Sequence, residues 1–305
     1  MGGPGGLPPW VRVRLPGGSV AMATHRTLDR ERLHTVCEEA RCPNQGECWS
    51  AGTATLMILG DRCTRSCRFC AVASAREGRP LDPSEPARIA RLAGDSGLRY
   101  VVITSVDRDD LPDLGAGHFR AVLDALKALE SPPRVELLIP DYRDDPLRQV
   151  LEGRPDVLAH NLETTRRLTP LVRDRRASYD LSLEVLRQAR RHDPSLWTKS
   201  SLMLGLGESL DEVIEAMEDL RRVGVRILTL GQYLRPTARH LPVSRWWTPE
   251  EFADLEDRAR KMGFEFVASG PLVRSSYRAA ELFLEGRLAR PIPETASCGE
   301  KFPGQ

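Results

Sequence analysis

The sequence lacks a surplus of charge of either sign, a long apolar run and an internal repeat. Its 44 basic and 43 acidic residues leave a net charge of +1, which argues against a nucleic-acid partner bound by a broad basic surface. No apolar run approaches the roughly 18 to 20 residues of a membrane span, and the first twenty residues lack the apolar core of a signal peptide. These absences predict that the chain engages neither nucleic acid nor a membrane.

The absence of a secretory signal predicts a cytoplasmic protein in a reducing compartment, where clustered cysteines bind metal more often than they form disulfides. Mitochondrial import stays open, because the first twenty residues contain arginine and no acidic residue. Four glycines and three prolines before Trp10 argue against the amphipathic helix that import needs.

The chain of 305 residues, 41% of them apolar, alternates strand and helix patterns from Ala54 onward. Predicted strands cover 54–60, 99–105, 134–140, 156–162, 199–206 and 226–233, and predicted helices cover 84–96, 116–130, 144–152, 178–192 and 209–223. Such alternation is typical of βαβ units with a parallel sheet. Six units predict an α/β fold with a partial (β/α)6 barrel of the TIM type.

Two extensions flank the predicted barrel, which takes residues 54–240. The N-terminal extension, residues 1–53, shows no strong periodicity, so we expect metal ligands rather than a core of its own to order it. The C-terminal extension, residues 241–305, is predicted to contain helices at 249–262 and 277–286 and a strand at 264–270. We expect this second extension to cover one mouth of the barrel.

Six of the seven cysteines form two triplets. The first is Cys37, Cys42 and Cys48, and the second is Cys63, Cys67 and Cys70. Three thiolates are one short of the four that close a zinc or iron–sulfur site, so each triplet leaves one metal position for another ligand. The second triplet follows the first predicted strand, at the end of a barrel where active sites lie. A structural zinc loop is the alternative interpretation, and Cys298, in a Pro-rich tail, is interpreted as a thiol outside any site.

The second triplet has the spacing C-x3-C-x2-C with Phe69 directly before its last cysteine. This pattern resembles the signature of the radical S-adenosylmethionine (radical SAM) superfamily. The resemblance implies a [4Fe–4S] cluster on Cys63, Cys67 and Cys70, the catalytic cysteines. It also implies S-adenosylmethionine as the second cofactor, chelating the open iron through its amine and carboxylate and yielding a 5′-deoxyadenosyl radical on reduction.

The first triplet, followed by Trp49, resembles the auxiliary-cluster motif of the lipoyl synthase family, and the likeness covers roughly residues 9 to 285. Six further stretches resemble that family in order and spacing: TSVDRDDLPD (104–113), HNLET (160–164), LVRDRRASY (171–179), LMLGLGE (202–208), LGQYLRPT (230–237) and GPLVRSSYRA (270–279). The resemblance implies a second [4Fe–4S] cluster on Cys37, Cys42 and Cys48, with a serine of the RSSY motif as fourth ligand. Of Ser275 and Ser276 we favour Ser276, although such a motif by itself is typical of a helix N-cap.

Polar residues at the ends of the predicted strands are candidates for binding S-adenosylmethionine. Thr104 and Ser105 end the second strand and are candidate partners of the methionine carboxylate and amine. The resemblance assigns Asn161 and Glu163, after the fourth strand, to the ribose and its neighbourhood.

Two further candidates have a structural alternative. Arg173 is a candidate partner of a carboxylate, although Arg173, Arg175 and Arg176 also fit a solvated charged surface. Glu208 follows the fifth strand, where its carboxylate is a candidate acceptor from an amine or a ribose hydroxyl; a Gly-rich turn is the alternative. His160 is interpreted as a hydrogen-bonded wall residue.

The lipoyl synthase resemblance implies a sulfurtransferase that inserts sulfur at C6 and C8 of an octanoyl group on a lysine of a lipoyl carrier domain. The auxiliary cluster would donate the sulfur. The implied partners are the octanoylated E2 subunit of a 2-oxoacid dehydrogenase or the glycine cleavage H protein, an electron donor such as ferredoxin or flavodoxin, and an iron–sulfur carrier protein. Another radical SAM sulfur-inserting enzyme and a non-catalytic metal-binding protein are the alternatives.

Overall fold

The computed structural model describes residues 7–11, 25–26, 28, 30–31, 33–39, 44–50 and 53–276. Its strands are β1 His34–Thr35, β2 Thr53–Ile58, β3 Arg62–Cys63, β4 Ala73–Ser74, β5 Tyr100–Ser105, β6 Arg134–Leu138, β7 Val157–Ala159, β8 Trp197–Leu204, β9 Ile227–Gln232 and β10 Phe266–Gly270. Its helices are α1 Val36–Glu39, α2 Gln45–Ser50, α3 Glu85–Asp95, α4 Ala116–Lys127, α5 Asp144–Glu152, α6 Thr169–Val172, α7 Tyr179–His192, α8 Leu210–Arg222 and α9 Pro249–Lys261.

An eight-stranded sheet in the order β1-β2-β5-β6-β7-β8-β9-β10 forms the centre of the fold. Strands β2 and β5 to β10 are parallel to their neighbours, and β1 is antiparallel to β2. Short strands β3 and β4 pair separately. The carboxyl ends of the parallel strands therefore meet along one edge, and the sheet confirms the predicted α/β class.

Two of the helices between these strands begin with a capping box. Ser209 caps α8 together with Glu212, and Thr248 forms the same arrangement with Glu251 before α9. Both boxes satisfy amide groups that the first helical turn leaves without partners. The caps fix where each helix starts relative to the strand before it.

Apolar side chains from both faces of the sheet are buried, as expected for parallel strands covered by helices. Several buried polar side chains lie within this core, and three of them form one hydrogen-bonded group. Lys199 Nζ donates to both carboxylate oxygens of Glu136, at 2.9 and 3.0 Å, and Tyr100 Oη donates to the same carboxylate at 2.7 Å. This triad joins β5, β6 and β8 inside the fold, where an unpaired charge would be costly.

Strand β10 extends the sheet beyond residue 240. It pairs in parallel with β9, Phe266 opposite Ile227 and Gly270 opposite Gly231. The sheet therefore continues into the segment that we expected to cover one mouth of the barrel, while the helix expected at 277–286 lies outside the described residues.

The described part of the N-terminal extension packs against the main core. Strand β1 pairs with β2, and Trp49, Leu28 and Leu33 join the same buried cluster as the sheet strands. The main core thus supplies apolar surface that the extension by itself lacks, and its ordering by metal ligands stays a prediction. No helix in the described part of the chain is both long and apolar enough to span a bilayer.

Candidate active site

A cavity opens at the carboxyl ends of β5, β6 and β7, and we call it the mouth cavity. Its volume is about 200 Å³. Its lining includes the three cysteines of the second triplet and most of the predicted cofactor contacts: Cys63, Cys67, Cys70, Thr104, Ser105, Asn161, Glu163 and Arg173. Residues that lie up to 110 positions apart in the chain thus share one space because parallel strands end side by side.

Backbone amides of neighbouring loops point at the sulfur atoms of the triplet. The amides of Arg65 and Asp107 each donate to Cys63 Sγ at 3.4 Å, and that of Asp174 donates to Cys67 Sγ at 3.3 Å. Donors of this kind stabilise thiolates and tune the potential of an iron–sulfur cluster. The loop therefore presents its sulfurs in a form suited to holding iron.

Burial disfavours the charged form of all three thiols. It raises the pKa of Cys63 to about 11 and that of Cys67 to about 12, and it also raises the pKa of Cys70. The carboxylate of Asp107, 3.7 Å from Cys63 Sγ, adds to the first of these shifts. A cation that binds the sulfurs must therefore displace protons, as soft metal ions do.

Arg65, between the first two cysteines of the triplet, ties the cysteine loop to two strand ends. Its Nη2 lies 3.0 Å from Asp109 Oδ1, its Nε lies 3.4 Å from Asp107 Oδ1, and its Nη1 contacts Asp141. Thr64 adds bonds to the same segment, with its Oγ1 donating to Asp109 Oδ2 at 2.7 Å. The position of the sulfurs thus depends on a buried ion-pair network.

Three buried polar atoms of residues that line the mouth cavity have no hydrogen-bond partner among the described residues: Ser105 Oγ, Asn161 Oδ1 and Asp141 Oδ1. Asp141 Oδ1 faces the side chains of His160 and Arg173, so the pair left without such a neighbour is Ser105 Oγ and Asn161 Oδ1. Buried polar groups normally have partners, so an unpaired pair in one cavity indicates a polar ligand. The three thiols of Cys63, Cys67 and Cys70 line the same cavity as these atoms. Among the described residues no three His, Cys, Asp or Glu side chains are grouped so as to hold a single metal ion, so the cluster assignment stays a prediction.

The side chains of Arg173 and His160 lie beside Asp141 on the cavity wall. Arg173 Nη2 lies 3.6 Å and His160 Nε2 lies 3.3 Å from Asp141 Oδ1, and His160 Nδ1 donates to the carbonyl of Ile139 at 2.9 Å. Burial opposes ionisation of Asp141, but its bond to His160 and the charge of Arg65 hold its pKa below the ordinary value. Arg173 is therefore buried in the wall, which contradicts the alternative of a solvated charged surface for this residue, whereas Arg175 and Arg176 are exposed.

Glu163 occupies a strained position at the end of β7. Its φ angle is +69°, a left-handed conformation that non-glycine residues seldom adopt. Its amide donates to Ser201 O and its carbonyl accepts from Met203, so β8 holds the conformation in place. Burial raises the pKa of the Glu163 carboxyl, and strain of this kind is concentrated at ligand sites.

Glu208 lies outside the mouth cavity. One carboxylate oxygen accepts from the amide of Gly205 and from Trp247 Nε1, and the other accepts from the amide of Leu206. The turn after β8 therefore uses both oxygens of Glu208. Glu208 is not among the residues that line the mouth cavity, and its assignment to cofactor binding stays a prediction.

Of the first triplet, the structure describes the side chain of Cys48, which is half-buried against the main core. The side chain of Cys37 and all of Cys42 lie outside the described residues, as does Cys298. Ser275 and Ser276 are described and half-buried. Asn44, between Cys42 and Cys48, donates through Nδ2 to the carbonyl of Leu272 at 2.6 Å, which joins the first triplet's segment to the RSSY loop.

Sequence reasoning missed the acidic and basic residues that hold the cysteine loop. The signal was present, because Asp107 and Asp109 lie within the TSVDRDD stretch and Arg65 lies inside the triplet itself. Their pairing depends on the distance between loops, which the sequence alone does not give. The amide donors to sulfur carry no residue signature at all.

Comparison with known proteins assigns the chain to established groups. A family model described as the radical SAM superfamily matches residues 57–220. A lipoyl synthase of Anaeromyxobacter sp. is 56% identical over 290 residues, 94% of this chain and 98% of the relative. The lipoyl synthase of Thermus thermophilus is 54% identical over 280 residues, 91% of this chain and 87% of the relative.

Solved structures share the fold at low sequence identity. Streptococcus suis SuiB bound to S-adenosylmethionine matches with a TM-score of 0.55 and 13% identity, covering 74% of this chain and 54% of that chain. Methylornithine synthase (PylB) matches with a TM-score of 0.53 and 14% identity, covering 82% of each chain. These matches concern the arrangement of strands and helices.

Proposed function

The chain belongs to the lipoyl synthase family within the radical SAM superfamily, and from that membership we propose which of its residues carry out the reaction. It is a sulfurtransferase that inserts two sulfur atoms, at C6 and C8 of an octanoyl group attached to a lysine of a lipoyl carrier domain. The observation that carries the residue assignment is the mouth cavity, where three thiols meet two unpaired buried polar atoms.

Cys63, Cys67 and Cys70 hold one [4Fe–4S] cluster, and Cys37, Cys42 and Cys48 hold the other together with Ser276. When bound, the clusters and S-adenosylmethionine supply a hydrogen-abstracting radical and the sulfur, chemistry that acid, base or nucleophilic side chains cannot provide at an unactivated methylene. The protein's own task is to hold these groups and the acyl chain close together without water. A serine oxygen is a harder ligand than a thiolate, which suits a cluster that gives up sulfur.

Side chains of the cavity wall orient S-adenosylmethionine. Thr104 and Ser105 face its methionine amine and carboxylate, and Asn161 offers its unpaired Oδ1 to a hydroxyl or amine. Arg173, held against Asp141, offers a positive group to the carboxylate. Glu163 accepts from the ribose, a geometry supported by its rigid left-handed backbone.

The substrate is an octanoylated carrier domain, either an E2 subunit of a 2-oxoacid dehydrogenase or the glycine cleavage H protein. A flexible acyl-lysine arm suits a cavity that opens at the barrel mouth. Ferredoxin or flavodoxin delivers electrons and an iron–sulfur carrier protein rebuilds the auxiliary cluster. A cytoplasmic location agrees with six clustered cysteines, since a reducing compartment keeps thiols available for iron.

The decisive test is incubation of the anaerobically reconstituted protein with an octanoylated carrier peptide, S-adenosylmethionine and a reductant. Mass spectrometry is expected to show a gain of two sulfur atoms on the peptide. An unchanged peptide with S-adenosylmethionine still cleaved would instead indicate another sulfur-inserting radical enzyme. Two colourless zinc ions in place of iron would contradict both.

A further inference from the structure

One hydrogen bond connects two segments that lie 228 residues apart and carry proposed ligands of the auxiliary cluster. The buried side chain of Asn44 donates to the carbonyl of Leu272 at 2.6 Å. Asn44 follows Cys42 by two residues, and Leu272 precedes Ser275 by three. The bond therefore lies beside the proposed ligands at both of its ends.

Asn44 is itself rigidly attached to the cysteine segment. Its carbonyl accepts from the amide of Cys48 at 3.0 Å, in the first turn of α2. Trp49, which follows Cys48 in the chain, is 2% exposed and packs in the main core. Because the backbone and side chain of Asn44 are both engaged, a displacement of the Leu272 carbonyl would be transmitted to the helix that bears Cys48.

Gly231 on β9 lets the backbone of residues 271–276, which we call the serine loop, come close to the strand. A Cβ atom at this position would lie 2.1 Å from the carbonyl oxygen of Val273, a backbone atom that cannot rotate away. Arg274 adds a bond from Nη1 to the Val273 carbonyl at 2.7 Å. The serine loop thus contacts Asn44 through Leu272 and approaches β9 at a point where the strand has no side chain.

We propose that Asn44 and Gly231 are positioning residues that hold the serine loop beside the segment Asn44–Ser50, which carries Cys48 of the first triplet. The protein, rather than the iron–oxygen bond alone, then keeps the serine within reach of the auxiliary cluster. This inference rests on the proposed function, since it assumes that a serine of this loop is the fourth ligand. Loss of either contact is expected to loosen the loop and leave one iron without its protein ligand.

The experiment compares Asn44→Asp and Gly231→Ala with the wild-type chain, all reconstituted anaerobically. Asn44→Asp keeps the size of the side chain but turns a carboxylate acceptor toward a carbonyl acceptor. Gly94→Ala is the matched glycine control, because its Cβ meets only Leu129 Cδ2 at an ordinary 3.8 Å. Hydrogen exchange of peptides from the serine loop and from residues 63–70 is measured, together with iron content and electron paramagnetic resonance.

Both variants are expected to speed exchange in the serine loop roughly two- to tenfold, the effect of losing one hydrogen bond or its equivalent. Exchange in residues 63–70 should not change. About one iron per chain should be lost, with the resonance of a three-iron cluster appearing on oxidation. Formation of 5′-deoxyadenosine should continue while sulfur insertion falls, and Gly94→Ala should match the wild type in every measurement.

Unchanged exchange in the serine loop of both variants, with full iron content, would overturn the proposal. So would equal loss of both clusters, since a positioning role predicts an effect on one of them. Should Gly231→Ala fail to fold, Asn44→Asp decides alone. A wild-type chain that adds no sulfur to the peptide contradicts the proposed function instead, and the exchange measurement still reports on the contact of Asn44 with the loop.

Discussion

At the scale of single residues, the two cysteine triplets are proposed to do different work, and this division can be tested. Cys63→Ala should abolish formation of 5′-deoxyadenosine, because two thiolates cannot hold the cluster at the mouth cavity. Cys42→Ala should leave that cleavage in place and abolish sulfur insertion. The measurements are chromatography of 5′-deoxyadenosine and the mass of the peptide.

Iron content is the control for the two cysteine variants, since each should retain about half of the wild-type iron. Loss of both activities in a folded Cys42→Ala protein would contradict the division of labour.

Arg65 offers a second test at this scale. Its planar guanidinium is 9% exposed and engages three carboxylates, whereas a lysine can engage one of them well. Arg65→Lys should therefore lower the free energy of unfolding by about 3 kcal/mol, the scale of breaking a buried ion pair. Denaturant unfolding of the iron-free chain measures this change.

Arg187→Lys is the control for this substitution, because the Arg187–Glu184 pair lies at the surface of α7. Its effect should stay below about 0.5 kcal/mol. Equal effects of the two substitutions would show that the network around Arg65 adds no stability.

The sequence pointed to Cys63, Cys67 and Cys70, which line one cavity, because their short spacing is a local signal; their role as metal ligands stays a prediction. Contacts between distant segments were not predictable, since the Asn44–Leu272 bond and the pairing of Arg65 with Asp141 exist only in the folded chain. The unpaired Ser105 Oγ is likewise visible only once its neighbours are known. For Glu208 the sequence suggested a ligand contact that the folded chain does not show. Both of its carboxylate oxygens accept hydrogen bonds from amides of its own turn.

At the scale of elements, amphipathic helices and apolar strands were predicted to within a few residues at most boundaries. Their periodicity and capping residues are local signals, as the Ser209 box before α8 shows. Helices α1, α2 and α6 and strands β1, β3 and β4 were missed. Segments of two to six residues are too short to display a clear period, and tertiary contacts define them instead.

The buried triad gives the prediction that belongs to this scale. Lys199→Met leaves the buried charge of Glu136, on β6, without its cationic partner on β8. The substitution should lower the free energy of unfolding by about 3 to 5 kcal/mol. Replacing both residues, Lys199→Met with Glu136→Leu, should recover most of this loss because an apolar pair of similar volume needs no partner. A double-mutant cycle in denaturant measures the coupling.

Tyr100 sets the limit of this recovery, since its hydroxyl loses an acceptor in the double variant, at a cost of about 1 kcal/mol. A double variant less stable than Lys199→Met would contradict this. It would show that the ion pair adds net stability to the sheet, beyond avoiding the cost of one buried charge without a partner.

At the scale of the whole molecule, the barrel and the described part of the N-terminal extension share one core. Trp49 packs in the cluster that contains Leu56 of β2, and β1 adds hydrogen bonds along the same strand. Parts that share a buried core unfold together. The sequence did not predict this because the extension has too little periodicity to reveal which of its residues turn inward.

Trp49→Ala tests whether this shared core makes the chain one cooperative unit. The substitution should lower the free energy of unfolding by about 3 to 5 kcal/mol, the cost of deleting a large buried side chain. The space left by the missing Trp49 side chain lies in the core that the extension shares with β2. The iron-free chain should therefore still unfold in a single transition, at a lower temperature than the wild type. Calorimetry measures the number of transitions.

Leu81→Ala is the control, because its side chain is 42% exposed, and it should leave the transition temperature unchanged. A new early transition in Trp49→Ala, followed by an unshifted main one, would mean that the extension folds separately and depends on its metal after all.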